Sequence, residues 1–126
     1  MSVTHHATLR NVLADAVLAA IDQDVGAGYI EIQTGASAEV ATLALADPAG
    51  TVSGPTLTFD TTPDLEDASA TGGEAAQFVI CDNSGDEQIY GSVGTSGSGA
   101  DIIMSTTTIA AAAIVRITSL TYTAPV

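Results

Sequence analysis

The chain has 126 residues and a formal net charge of −13, with 15 acidic residues against two arginines and no lysine. This length is that of one ordinary domain. Contact with phosphate requires Lys and Arg side chains that displace counterions, so the composition argues against nucleic acid and anionic membranes as direct partners. Hydrophobic residues make up 46% of the chain, which predicts a folded domain rather than a disordered acidic segment.

The acidic residues are scattered along the chain, which is typical of the solvated faces of a folded domain. Concentrated salt screens repulsion between carboxylates to within about 3 Å at 1 M. An acid-rich composition without lysine is therefore compatible with a halophilic host. An acidic mesophilic protein explains the same composition equally well, and both interpretations stay open.

The first regular element is an amphipathic helix over residues 9–24, preceded by a flexible arm over residues 1–8. Thr8 is the expected N-cap, and the glycines at positions 26 and 28 are expected to end the helix. The apolar stripe must cover this domain's own sheet or a neighbouring subunit, because its exposure to water is costly. The stripe consists of Leu9, Val12, Leu13, Ala16, Val17, Ala20 and Ile21.

Residues 28–124 alternate apolar and polar side chains with period two, between clusters of turn-forming residues. This pattern predicts seven or eight short strands, with a surface loop over residues 61–73 and a tight connection near residues 110–112. The predicted fold is mainly β, a single domain with the helix packed on an antiparallel β-sandwich or jelly-roll-like domain. The absence of βαβ alternation disfavours a doubly wound nucleotide-binding fold.

The stretch CDNSGDEQIYGSVGTSGSGADI, residues 81–102, invites a test for calcium ligands. Counted from Asp82 as the first ligand of an EF-hand loop, the sixth position is Glu87 instead of glycine and the twelfth is Val93 instead of glutamate. A hairpin turn with Gly85 at positive φ explains the residues better. Asp82, Asp86 and Glu87 are expected to lie together at its tip as solvated turn carboxylates, and they form a weak candidate cation site.

Catalytic and cofactor motifs are not apparent. A phosphate-binding loop requires a lysine, and no Gly-x-Ser-x-Gly sequence is present. The acidic residues at positions 64, 66 and 67 fall in a polar loop without apolar walls that would raise a carboxyl pKa. Cys81 lies in an apolar strand pattern, which predicts a small buried side chain rather than a catalytic thiol. The sequence therefore predicts a non-enzymatic protein without a cofactor.

Three segments resemble a group of small proteins encoded in the structural gene clusters of tailed phages and prophages. They are the helix ATLRNVLADAVLAAID, the strand GAGYIEIQTGA and the C-terminal run FVICDNSGDEQIYGSVGTSGSGADIIMSTTTIAAAAIVRITSLTYTAP. The resemblance covers nearly the whole chain. Two segments depart from the pattern of those proteins. Ala36 and Ser37 follow the first strand's glycine where those proteins usually have proline, and residues 110–113 replace a glycine-bearing turn.

The resemblance implies a virion structural protein, most simply a decoration or cement protein on the outer capsid of a tailed virus. Its implied partners are the major capsid protein or other virion subunits, with further copies of itself, and no signal peptide is expected. Arg10 and Arg116 are candidate subunit-interface residues, although an internal salt bridge is the simpler expectation for each. The alternatives are a tail-associated or adaptor subunit, and a carbohydrate- or cation-binding β module.

Overall fold

The computed structural model describes residues 3–23, 26–62, 64–100, 102–104, 106–117 and 120–124. Within these ranges the protein is mainly β, with one N-terminal helix packed on antiparallel sheets, as the sequence predicts. The helix is α1 (Ala7–Ile21). The strands are β1 (Tyr29–Gln33), β2 (Glu39–Ala44), β3 (Gly50–Ser53), β4 (Thr56–Phe59), β5 (Leu65–Asp67), β6 (Gly73–Glu74), β7 (Gln77–Cys81), β8 (Glu87–Gly94), β9 (Ile102–Ile103), β10 (Thr108–Ile109), β11 (Val115–Ile117) and β12 (Thr121–Thr123).

The described strands form one large sheet and three smaller ones. The five-stranded sheet has the order β2-β1-β7-β8-β9, and the three-stranded sheet has the order β12-β4-β3. Two further pairs join β11 to β5 and β10 to β6. The described pairings are antiparallel, as predicted, except that β8 pairs with β9 in parallel at the edge of the large sheet.

The core combines residues of the five-stranded and three-stranded sheets with residues of α1, β5 and β11, and many of them follow the alternation visible in the sequence. On the large sheet, Ile30 of β1 lies opposite Leu43 of β2 and Ile80 of β7. From the smaller sheet, β4 contributes Leu57 and Phe59, which belong to the same buried cluster. Each large aliphatic side chain that is fully buried stabilises the fold by about 1.5 to 3 kcal/mol relative to exposure.

Helix α1 begins and ends earlier than the sequence suggests. It spans Ala7–Ile21 rather than 9–24, and its N-cap is His6 rather than Thr8. The Nδ1 atom of His6 accepts a hydrogen bond from the Thr8 amide at 3.2 Å, which occupies one of the free N–H groups of the first turn. Asp22 is the C-cap, so the helix ends before the glycines. The predicted arm over residues 1–8 therefore includes the start of the helix.

The helix is also rotated by about one residue relative to the predicted orientation, because side chains spaced 3.6 residues apart define its buried face. Ala14 and Ile21 are buried and Leu18 is half-buried against the core. Leu9 and Val12, which the stripe places inward, are 46% and 55% exposed. Only one edge of the predicted apolar stripe is thus covered by this domain.

The predicted surface loop over residues 61–73 contains pairing that its sequence does not reveal. The three residues of β5 pair with β11, and the Oδ2 atom of Asp67 accepts a hydrogen bond from the Thr42 amide of β2 at 2.9 Å. The loop interpretation is therefore wrong for β5 and for Gly73, which begins β6. The tight connection near residues 110–112 is confirmed, with Ala112 at φ 66°, although the two strands it joins lie in different sheets.

Candidate functional site

The turn between β7 and β8 is a hairpin, as the sequence predicts, and Gly85 adopts φ 93° within it. The amide of Gly85 donates to the Asp82 carbonyl, and the Asp82 amide donates to the Asp86 carbonyl. Each of these bonds fixes the backbone of the turn without a metal. The acidic and glycine-rich start of the stretch 81–102 is thus a connection between adjacent strands.

Asp82 differs from a solvated turn carboxylate because it is fully buried. Its Oδ1 atom accepts bonds from the Ser84 amide at 3.0 Å, the Ser84 hydroxyl at 2.8 Å and the Asp86 amide at 2.9 Å. Its Oδ2 atom accepts bonds from the side-chain amides of Gln23 at 2.6 Å and Gln88 at 3.2 Å. This arrangement, which we call the Asp82 hub, joins the segment after α1 to the hairpin.

The Asp82 hub keeps its carboxylate charged by hydrogen bonding alone. Burial raises the pKa of Asp82, but bonds from Ser84, Asp86 and Gln23 outweigh burial and lower the pKa below its ordinary value. The expectation that Asp82 is a solvated tip residue is therefore wrong. Sequence reasoning missed this burial because the main partner outside the hairpin, Gln23, is 59 residues away.

Two of the three residues of the weak cation candidate, Asp82 and Asp86, share the Ser84 hydroxyl as a hydrogen-bond donor, at 2.8 Å and 3.4 Å. Asp82 is enclosed, whereas Asp86 and Glu87 are exposed. The Oε1 atom of Glu87 accepts a hydrogen bond from the Tyr90 hydroxyl at 2.9 Å. Among the residues that the structure describes, no group of three His, Cys, Asp or Glu side chains is placed to hold a metal ion.

The two arginines make different contacts within the chain. Arg116 of β11 donates from Nε to Glu66 of β5 at 2.6 Å, which confirms the expected internal salt bridge and raises the pKa of Arg116. Arg10 of α1 instead donates from Nε at 3.2 Å and from Nη2 at 3.0 Å to the carbonyl oxygen of Ala124. Among the described residues, Arg10 forms no salt bridge, so that expectation is met for Arg116 and not, within these residues, for Arg10. A role of either arginine in a subunit interface stays a prediction.

Cys81 is buried on β7, as expected for a small apolar side chain. Burial raises the pKa of the Cys81 thiol, and a hydrogen bond from the Tyr29 hydroxyl lowers it by a smaller amount. The same bond raises the pKa of Tyr29. A thiol held protonated in this way is a poor nucleophile, because the thiolate is the reactive form.

The outer face of the five-stranded sheet carries a group of hydrogen-bonded polar side chains. We define the outer sheet face by the side chains that point away from the core on β1, β7 and β8. Its residues are Tyr29, Glu31, Gln33, Gln77, Val79, Cys81, Glu87, Tyr90 and Ser92. The period-two alternation around Ile89 already indicates that Tyr90 points outward, but the sequence does not reveal its neighbours on β1.

A shallow cleft of about 370 Å³ lies beside β3 and β4. Hydroxyl side chains dominate its lining, and Asp60 is its one charged residue. The Oδ1 atom of Asp60 already accepts a hydrogen bond from the Thr62 amide at 3.0 Å. The lining residues are Pro48, Gly50, Thr51, Thr58, Phe59, Asp60, Thr61 and Thr62.

The exposed apolar edge of α1 is the remaining candidate surface. Besides Leu9 and Val12, the segment before the helix places Val3 in solvent with 82% of its surface exposed. We call Val3, Leu9 and Val12 the helix edge. None of the described helices is long and apolar enough to cross a membrane.

Comparison with known proteins leaves the chain without an assigned relative. No protein-family model, curated protein or solved structure matches it.

Proposed function

We propose that this chain is a non-enzymatic structural protein of a tailed-virus particle, which decorates the outer capsid and docks through the helix edge. The exposure of Leu9 and Val12 is the observation that carries the proposal. Both residues belong to an apolar stripe whose other edge, at Ile21, is fully buried in the domain. A neighbouring subunit would complete the burial that the domain's own sheet leaves unfinished.

Charge indicates the chemistry of the docking partner. The chain carries 15 acidic residues, and both of its arginines are engaged within the chain, by Ala124 and by Glu66. Two copies would therefore repel each other at low ionic strength unless salt screened them. A capsid subunit with an apolar groove and a basic rim complements the helix edge, because complementary charge promotes association.

The same acidity supports a position on the outside of a capsid. Phosphates of packaged nucleic acid are bound by Lys and Arg side chains. The chain has no lysine and its two arginines are bonded internally, so contact with the genome would not be favourable. On the exterior, the carboxylates face solvent and keep the particle soluble. The resemblance to phage structural proteins agrees with this position.

A role in a tail would need an arm that reaches a neighbouring subunit, and residues 60–74 are the segment long enough to supply one. Within that segment β5 pairs with β11, and Asp67 bonds to β2. The segment is thus attached to its own domain, which favours the capsid over a tail ring.

Copy number in purified particles tests the placement. Mass spectrometry is expected to find hundreds of copies per particle, and cryo-electron microscopy is expected to place density for this domain on the outer capsid. A copy number of tens or fewer would contradict the decoration role, and so would density confined to the tail.

A substitution in the helix edge tests the docking surface. We expect Val12→Glu to reduce incorporation into particles about tenfold or more, because burial of an unpaired carboxylate costs more than the 1.4 kcal/mol that corresponds to tenfold. The fold should be kept, since Val12 is more than half exposed. Incorporation is measured by adding purified protein to particles that lack it.

Thr58→Glu is the matched control for Val12→Glu, because Thr58 is exposed on β4 and is not part of the helix edge. It adds the same charge and is expected to incorporate like the wild type. Equal incorporation of both variants would contradict docking through the helix edge.

A further inference from the structure

We propose that the outer sheet face binds a neutral polysaccharide, with the Tyr90 ring as the stacking platform. This inference is independent of the role in a virion and rests on other residues. Tyr90 is 68% exposed in the middle of β8, although tyrosine is one of the most readily buried polar side chains. Its hydroxyl is held by Glu87 at 2.9 Å, so the ring is anchored at its edge while most of its surface stays open to solvent.

The polar side chains on the sheet beside Tyr90 hold one another in place through hydrogen bonds. Gln77 donates from Nε2 to the Oε1 atom of Gln33 at 2.9 Å and to the Ser37 hydroxyl at 3.0 Å. Gln33 in turn donates from Nε2 to the Oε1 atom of Glu31 at 2.9 Å. Gln33 is itself buried, so this chain of amides is part of the sheet rather than a set of loose surface groups. Such preorganised groups lose little freedom when a ligand binds.

The strand register places the Tyr90 ring and the hydrogen-bonded side chains of Gln77, Gln33 and Glu31 on the same face of the sheet. Val79 of β7 pairs with Glu31 on one side and with Tyr90 on the other. With neighbouring strands about 4.8 Å apart, the backbones of Glu31 and Tyr90 are separated by about 10 Å across β7. A sugar ring stacked on Tyr90 therefore has the Glu31 carboxylate within reach of its hydroxyl groups.

The chemistry of the face favours a sugar over a protein partner. Its apolar residues Val79 and Cys81 are buried, so it lacks the exposed apolar centre that protein interfaces use. It offers one open ring beside carboxylates and amides, which matches a pyranose with an apolar C–H face and a rim of hydroxyl groups. Glu31 and Glu87, within a chain of net charge −13, repel acidic polysaccharides, so a neutral polysaccharide fits this face better than an acidic one.

Affinity electrophoresis with soluble neutral polysaccharides tests the proposal, with laminarin, galactomannan, arabinoxylan and dextran in the gel and alginate as the polyanion. We expect at least one neutral polymer to retard the wild type, and isothermal titration calorimetry then gives the affinity. Tyr90→Ala should weaken binding about tenfold, since an aromatic contact contributes about 0.5 to 1.5 kcal/mol beyond its buried area. Tyr90→Phe keeps the ring and should retain most of the affinity.

Thr58→Ala, on the opposite sheet, is the control and should bind like the wild type. Thermal melting checks that each variant is folded, which is expected because Tyr90 is largely exposed. Three outcomes would overturn the proposal: no retardation by any neutral polymer, retardation by alginate alone, or unchanged affinity in folded Tyr90→Ala.

Discussion

The most informative single residue is Asp82, because it combines full burial with a charge and no cationic partner. A buried carboxylate is costly unless hydrogen bonds replace its hydration. Here the donors come from the hairpin itself, at Ser84 and Asp86, and from the helix side, at Gln23. The Asp82 hub therefore connects two parts of the chain that the sequence separates widely.

The pH dependence of stability should report the Asp82 hub. The folded pKa of Asp82 lies below the unfolded value of about 3.9, so its contribution is fully present above that value and is lost as the pH falls through the folded pKa. We expect urea midpoints of the wild type to fall below about pH 4 more steeply than those of Asp82→Asn. The pKa of Glu74 is also lowered, by bonds from the Thr107 and Thr108 hydroxyls, and this effect remains in the variant.

Asp86→Asn is the control for this measurement, because the Asp86 side chain is exposed and only its backbone amide bonds to the Asp82 carboxylate. The Asp86 side chain itself accepts one long bond, at 3.4 Å from the Ser84 hydroxyl, which an asparagine oxygen can also accept. Asp86→Asn should follow the wild-type profile. Identical pH profiles for the wild type and Asp82→Asn would show that the hub contributes no charge-dependent stability.

Among the helices and strands, the sequence predicts those that a local residue pattern defines and misses those that are ordered by partners distant in the chain. The alternation of β1 and β8 indicates strands, because each buries mainly one face, whereas β7 is an apolar run with both faces buried. The three residues of β5 show no such pattern and are ordered by pairing with β11. The orientation of α1 was also missed, since small alanines on several sides of the helix let more than one face pack. For the site, the outward position of Tyr90 could be predicted, but the burial of Asp82 and the amide chain depend on cross-strand neighbours.

The connection between β10 and β11 yields a prediction about one turn. Ala112 has φ 66°, a left-handed conformation that costs a residue with a Cβ about 1 to 2 kcal/mol. We expect Ala112→Gly to raise the free energy of unfolding by about 0.5 to 1 kcal/mol, after the greater chain entropy of unfolded glycine is subtracted. Urea unfolding measures the change.

Ala111→Gly is the matched control, because Ala111 lies in the same turn without a positive φ. It should destabilise the protein by about 0.5 to 1 kcal/mol through chain entropy alone. Destabilisation of similar size by both substitutions would contradict the strain assigned to Ala112.

For the whole molecule, the dominant property is a surface with a net charge of −13 around a small aliphatic core. Self-repulsion of this size opposes the compact state at low ionic strength and is screened when salt is added. Electrostatics thus sets the conditions under which the domain is stable.

Salt titration tests this property and the hypothesis of a halophilic source together. We expect the urea midpoint to rise continuously from millimolar to multimolar KCl, because the folded state brings the carboxylates closer together than the unfolded state does. Sucrose at matched osmolality is the control for general solvent exclusion. A midpoint that is the same at both extremes of KCl would remove the halophilic interpretation.

The contact between Arg10 and Ala124 has a consequence for such conditions. An ion pair at the surface, like that of Arg116 with Glu66, weakens as salt is added. Arg10 instead donates two short N–H hydrogen bonds to a neutral carbonyl oxygen. Because the acceptor carries no net charge, added salt should change the strength of this contact little. We therefore expect the attachment of helix α1 to Ala124, the residue after β12, to be equally strong at low and at high salt concentration.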